Sequence, residues 1–357
     1  MKITMAHGSG GKSSAQLMSD IFGKYFKNQI LDRMEDAAVL EVGSAGGGET
    51  AGTETAGCET AGTETAGCDT AGSPARIACS TDSFVVTPLE FKGGDIGKLC
   101  VCGTVNDLLM MGAVPKYLTC GFILEEGLDV DLLDRLVASM ATQAAEAGVI
   151  IVAGDTKVVE GAGGLYINTT GIGMIPDGRD VSSSNAKAGD AIIVSGDLGD
   201  HHACILSHRM EIENDIVSDC AALNDVVDAL FGAGIHVHTM RDVTRGGLGT
   251  VINEIADSSG VRVELDEEAI PVNEEVRGFA DILGLDPLYM GNEGKMIAVV
   301  PADEAEAALA AMRSTEHGAG AAVIGSISEG AGAFLRTRLG ATRRFDVLYG
   351  EGLPRIC

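Results

Sequence analysis

Cys357 closes the chain, behind Gly350-Glu351-Gly352-Leu353-Pro354-Arg355-Ile356. Two glycines hinge this arm and Pro354 stiffens it, so a thiol at its tip can be loaded at one place and carried to another. Termini are ordinarily frayed and inert, so the tail gains meaning only from what other residues can do. Prenylation does not explain it, because that needs the cysteine four residues from the end. Four acids are candidates for such work. Asp36, Asp82 and Asp155 stand beside small or polar residues where the chain turns or meets a sheet edge, and Asp107 follows Asn106 in a helical pattern. Carboxylates gathered at one sheet edge can assemble a Mg-nucleotide site, since Mg²⁺ takes oxygen ligands and bridges phosphates. Each acid taken singly also reads as a cap or turn residue. Lys157 lies two residues from Asp155, and Glu293 sits in Gly291-Asn292-Glu293-Gly294-Lys295 at a strand start.

Near the N-terminus, His7-Gly8-Ser9-Gly10-Gly11-Lys12-Ser13 nearly matches a P-loop, but Ala6 replaces its first glycine. Lys12 and the surrounding backbone N–H groups remain a plausible phosphate contact, because both favour anions. The formal charge of -27, from 52 acidic against 25 basic residues, argues against nucleic acid or an anionic membrane as partner. No apolar run approaches a membrane span and Met1 to Lys12 lacks a signal-peptide core, so a cytoplasmic protein is expected. Nine irregularly spaced cysteines fit reduced thiols, with Cys100 and Cys102 reading as core residues.

These residues need elements to position them. Strands are expected at 36–40, 77–86, 116–124, 149–152 and 165–174, with helices over 95–111 and 130–147 between them. Turn residues from Asp177 to Gly189 mark a boundary. Beyond it come strands at 191–196, 261–265, 295–300 and 322–328, and helices at about 201–212, 219–231, 273–283 and 302–313, with a further helix opened by Arg245-Gly246-Gly247. Such alternation implies layered α/β architecture: an N-terminal domain over 1–180, a C-terminal domain over 181–349 and a mobile tail over 350–357. Five Gly/Thr-rich pentads between Glu49 and Ser73 cannot bury a core, so 43–75 reads as a disordered insertion.

Several blocks, in order, resemble the hydrogenase maturation proteins of the HypE family, which are PurM-like ATP-binding enzymes. They are Met5 to Lys12, Ser80-Thr81-Asp82-Ser83-Phe84, Gly93 to Lys98, Gly103-Thr104-Val105-Asn106-Asp107, Gly154-Asp155-Thr156-Lys157, Met240 to Leu248, Gly291 to Lys295 and Pro354-Arg355-Ile356-Cys357. The resemblance implies a two-domain PurM-like fold and an ATP-dependent carbamoyl dehydratase. A carbamoyltransferase, HypF, would place a carboxamide on Cys357. Phosphorylation by ATP and loss of phosphate would leave a thiocyanate, whose cyano group passes to iron held by HypC and HypD. By the same resemblance Asp36, Asp82, Asp107 and Asp155 would hold Mg-ATP, with Lys12 and Asn106 near the phosphates. Lys157 and Glu293 would act on the arriving carboxamide, and the N-terminal halves would form a homodimer. The pentads have no counterpart in that pattern, and His202 stands where it has glycine. Alternatives are a PurM-like enzyme acting on a small molecule, which would not need the terminal cysteine, or a thiol carrier with an inactive ATP site.

Overall fold

The computed structural model describes residues 35–42 and 75–348, with Lys12, Gln16, Ser19, Ile30 and Arg33 besides. The expected N-terminal helix, nearly all of the 43–75 insertion and the tail with Cys357 lie outside the described residues.

Two sheets organise the chain. The first has the order β1-β2-β7-β5-β6, formed by β1 (Ala38–Val42), β2 (Ala75–Phe84), β5 (Val114–Glu125), β6 (Ile150–Val159) and β7 (Leu165–Ile175). A two-stranded turn of β3 (Glu90–Phe91) and β4 (Gly94–Asp95) leads into α1 (Ile96–Met110). The Asp95 side chain caps α1 by accepting from Lys98 N at 2.9 Å. α1 is buried on nearly every side, which is the condition for a helix apolar all round. It lies against the sheet on one side and α2 (Val130–Glu146) on the other. Gly97 permits that second contact, since a Cβ there would come 2.0 Å from the Leu136 carbonyl oxygen. Cys100 and Cys102 are free, buried thiols in this core.

After β5 the chain crosses over through α2, so that β6 pairs parallel to β5. β6 runs on to Val159, well past the expected end at 152, because its pairing continues opposite the whole of β5. It is the sheet edge and is exposed along its length, with Ile150, Ile151, Val152, Val158 and Val159 all open.

The second sheet has the order β14-β13-β10-β12-β8-β11-β9. Its strands are β8 (Asp190–Val194), β9 (Thr239–Asp242), β10 (Arg262–Asp266), β11 (Met296–Pro301), β12 (Ala322–Ser328), β13 (Gly332–Arg336) and β14 (Thr342–Arg344). Its helices are α3 (Asp200–Arg209), α4 (Asn224–Gly232), α5 (Gly247–Ser259), α6 (Glu274–Leu283) and α7 (Ala305–Arg313). Strand alternation divides its residues between two cores. Ile193, Ala298 and Val300 join the core that includes α1, while Ile192, Val194, Ile297 and Val299 face the one under α5. The first core therefore runs through both sheets. The helix expected from 219 begins only at Asn224, because Ala221 O and Leu223 N are bonded to the Asn106 side chain instead of continuing a helix.

Candidate active site

Where α1, β2, β9 and the loop before β11 meet, carboxylates converge. Asp82 on β2 accepts from Ser83 N at 2.9 Å and from Arg245 Nη2 at 3.3 Å. Ser80, two residues earlier on the same face, donates through Oγ to Asp107 Oδ2. Asp36 lies just before β1, and its Oδ2 stands 2.6 Å from Arg241 Nε, an ion pair not aligned as a hydrogen bond. Arg241 also donates to Glu254 Oε2 at 2.8 Å. Neighbouring Glu35 accepts from Ser183 N at 3.1 Å and Ser183 Oγ at 2.8 Å, fixing the approach of this segment.

Burial and mutual repulsion raise these acids. The Asp107 carboxyl is pushed well up by burial, then by the charges of Asp242, Asp36 and Asp82. Burial likewise lifts Asp36, with Arg241 opposing. Asp242, at the end of β9, is pushed up to about 6 by burial, against Arg241. Glu293 is raised well above the carboxylate range by burial, then by Asp242, Asp82 and Asp219. Crowded carboxylates in a cleft attract cations and hold protons that solvated acids would lose.

Among the expected site residues, Asp36, Asp82, Asp107 and Glu293 are thus brought to one place, joined by Asp242, Arg241 and Arg245. Those three lie within Met240–Leu248. An acid ending a short buried strand before a glycine-opened helix was the available signal. Asp155 does not join them within one chain. Ser83, Asn168, Gly121 and Asp155 pair in one row across β2, β7, β5 and β6. Asp155 therefore stands three strand spacings, about 14 Å, from Ser83, and on the face opposite Asp82. Its partner there is Lys157 Nζ, a charge-assisted hydrogen bond that lowers the Asp155 carboxyl. Lys157, on the same open face, is likewise apart from Glu293. Asn106 is buried and spends both ends of its amide on backbone, donating to Ala221 O at 3.0 Å and accepting from Leu223 N at 2.9 Å. It ties the backbone of Ala221 and Leu223 to α1. Lys12 is exposed.

The donor set is all hard oxygen, which suits Mg²⁺. Among the described residues no three His, Cys, Asp or Glu side chains are arranged as a ready-made metal centre.

Comparison with known proteins bears on this site. Residues 34–175 match the family model for the AIR synthase related protein N-terminal domain, and 187–337 match that for its C-terminal domain. Over the full chain the sequence is 47% identical to the carbamoyl dehydratase HypE of Rhodobacter capsulatus, covering 98% of that protein. The chain belongs to the HypE family. Among solved structures, HypE in complex with ATP matches with a TM-score of 0.76 at 45% identity, covering 100% of both chains. A chain from a HypE–HypF complex matches with a TM-score of 0.80 at 41% identity, covering 93% of this chain and 99% of that one. The fold is thus the PurM-like α/β architecture expected from the motifs. No helix among the described residues is long and apolar enough to cross a membrane.

Proposed function

We propose that this HypE-family chain is a carbamoyl dehydratase that converts a carboxamide on its own Cys357 to a thiocyanate at the expense of ATP. The observation that carries the reading is the convergence of Asp36, Asp82, Asp107 and Asp242 with Glu293 at one place, in a chain that carries Pro354-Arg355-Ile356-Cys357. ATP would phosphorylate the carboxamide oxygen. That oxygen then leaves in phosphate as the C–O bond breaks, while both amide protons depart and carbon and nitrogen become triply bonded. Mg²⁺, when bound, offsets phosphate charge. Asp82, Asp107 and Asp242 would hold it, Arg245 would orient Asp82, and Glu293 would accept a proton from the amide nitrogen. Lys12 and Asn106 are proposed beside the phosphates. For Asn106 the contact runs through the backbone it orders, since its amide is already engaged.

HypF is the proposed source of the carboxamide, and a HypC and HypD complex the acceptor of the cyano group. The chain is proposed to divide into domains over 1–180 and 181–349, with 350–357 as the carrying arm. A homodimer is supported by β6, an apolar edge strand open on both faces of the kind that proteins otherwise cover or charge. Asp155 and Lys157 lie on the surface a second copy would cover, so their roles toward nucleotide and tail are proposed for the pair. Val152→Lys is expected to give a monomer by sedimentation. A variant that remains dimeric would exclude β6 from the interface.

The deciding experiment is the intact mass of the C-terminal peptide after loading by HypF, with and without Mg-ATP. Loss of one water only with Mg-ATP is expected. A carboxamide that loads and never loses water would make the chain a carrier, and a tail that never loads would point to a small-molecule substrate.

A further inference from the structure

The loop that carries Glu293 is fastened through three successive backbone N–H groups to three different parts of the fold. Glu293 N donates to Asp219 Oδ1 at 3.0 Å. Asn292 N donates to Val243 O at 3.0 Å, and its side chain bonds the same carbonyl through Nδ2 at 2.8 Å while Oδ1 accepts from Gly199 N at 2.7 Å. Gly291 N donates to His202 Nδ1 at 3.4 Å, a long bond, and Gly291 O accepts from His202 N at 3.2 Å. After Glu293 the path is also fixed by close approach, since a Cβ on Gly294 would lie 1.9 Å from Asp219 O. Before it, Gly291 has the conformational freedom of glycine and needs an outside restraint.

The start of α3 supplies that restraint. The first N–H groups of a helix have no acceptor within it, and His202, in the first turn of α3, gives its own to Gly291 O. Helical side chains lean back toward the N-terminus, so the ring comes round to the Gly291 N–H and one residue holds both backbone polar groups of Gly291. His202 stands where the family pattern has glycine, and a glycine would supply the backbone donor without the ring acceptor. The ring is ill placed for its own stability. It is 3% exposed, and burial, then His201 and Arg209, push its pKa down to about 3, so it stays neutral at working pH. With Nδ1 accepting from Gly291, the ring proton sits on Nε2, which is buried without a hydrogen-bond partner among the described residues. An orphaned buried donor is destabilising, so the contribution of the ring lies in its hold on Gly291.

We propose that His202 is a positioning residue for the reaction, fixing through Gly291 the loop on which Glu293 reaches the acidic site. The proposal rests on the reading that Glu293 accepts the amide proton. Gly291 is two residues before Glu293, so freedom at Gly291 passes directly to the place of that carboxylate. A misplacement of about 1 Å at a reacting group can cost about 10²-fold in rate.

Amide hydrogen exchange of the folded full chain, read by NMR, tests the hold without requiring turnover. His202→Gly keeps the backbone donor, removes only the ring and carries the residue of the family pattern, so it is expected to fold. Its Gly291 amide should exchange about tenfold faster, as loss of one hydrogen bond implies, while amides of β8 and β11 keep their rates. His202→Asn, whose Oδ1 can accept where Nδ1 does, should keep Gly291 slow. On the loaded chain at saturating Mg-ATP, His202→Gly should slow single-turnover water loss several-fold with half-saturation by ATP unchanged, and His202→Asn should recover most of the rate. Unchanged exchange at Gly291 in His202→Gly would overturn the proposal. So would faster exchange with an unaltered rate of water loss, which would leave the contact a role in folding alone. An equal loss of rate in both variants would also overturn it, by assigning the effect to ring volume. If the unmodified chain loses no water, the dehydratase reading fails while the exchange comparison still decides the hold on Gly291.

Discussion

A Cys357→Ala chain is expected to take up no carboxamide from HypF and to form no thiocyanate, read as an unchanged mass of its C-terminal peptide, while still binding ATP. The loss should be complete, because a methyl group offers no sulfur on which the carboxamide can be placed. Most of the other described thiols are poor substitutes: Cys79 on β2 is half-buried, and Cys100, Cys102, Cys120, Cys204 and Cys220 are buried. Burial pushes the Cys100 and Cys204 thiols up and Cys120 to about 11, and Cys220 is raised by its hydrogen bond with Cys102 and by burial. The thiolate is the nucleophile, so such groups react slowly at neutral pH. A carboxamide that loads elsewhere on the Cys357→Ala chain and still loses water would sink the terminal-thiol reading.

Glu293→Gln should keep carboxamide loading and ATP binding but lower single-turnover water loss by about 10²–10⁴-fold, the usual contribution of a positioned proton acceptor. The change is nearly isosteric and removes only basicity. The pH profile provides the sharper check. Glu293 is raised well above the ordinary range by burial and by Asp242, Asp82 and Asp219, so it tends to hold its proton. To accept a proton it must first be ionised, and ionisation grows as pH rises. Water loss in the unmodified chain should therefore climb with pH through the Glu293 titration, and the glutamine variant should lack that limb. A variant within a few-fold of the unmodified chain, with the same limb, would assign the proton to another group.

Much of the architecture could be read from local pattern. The apolar runs at 191–196 and 295–300 are strands buried on both faces, and the capped amphipathic α2 begins after Asp129, whose side chain accepts from Leu132 N at 2.9 Å. These depend on neighbours in the chain, so short-range rules suffice. Less legible were the elements whose form is imposed from outside. β6 extends past 152 because β5 offers it a full-length partner, and 219–223 stays out of the following helix because Asn106 occupies its backbone groups.

The sequence by itself determined the layered α/β class and the family through ordered motifs. Residue type, period and order record each of these directly. Which acids share a cleft was a matter for tertiary structure alone. Asp36, Asp82, Asp107, Asp242 and Glu293 are far apart in sequence and meet where α1 packs against β2 and β9. Asp155 looks equivalent to Asp82 in its local residues, yet strand order carries it three strands away and the pleat turns it to the other face. Pairing partners set that geometry, and no local spacing encodes them.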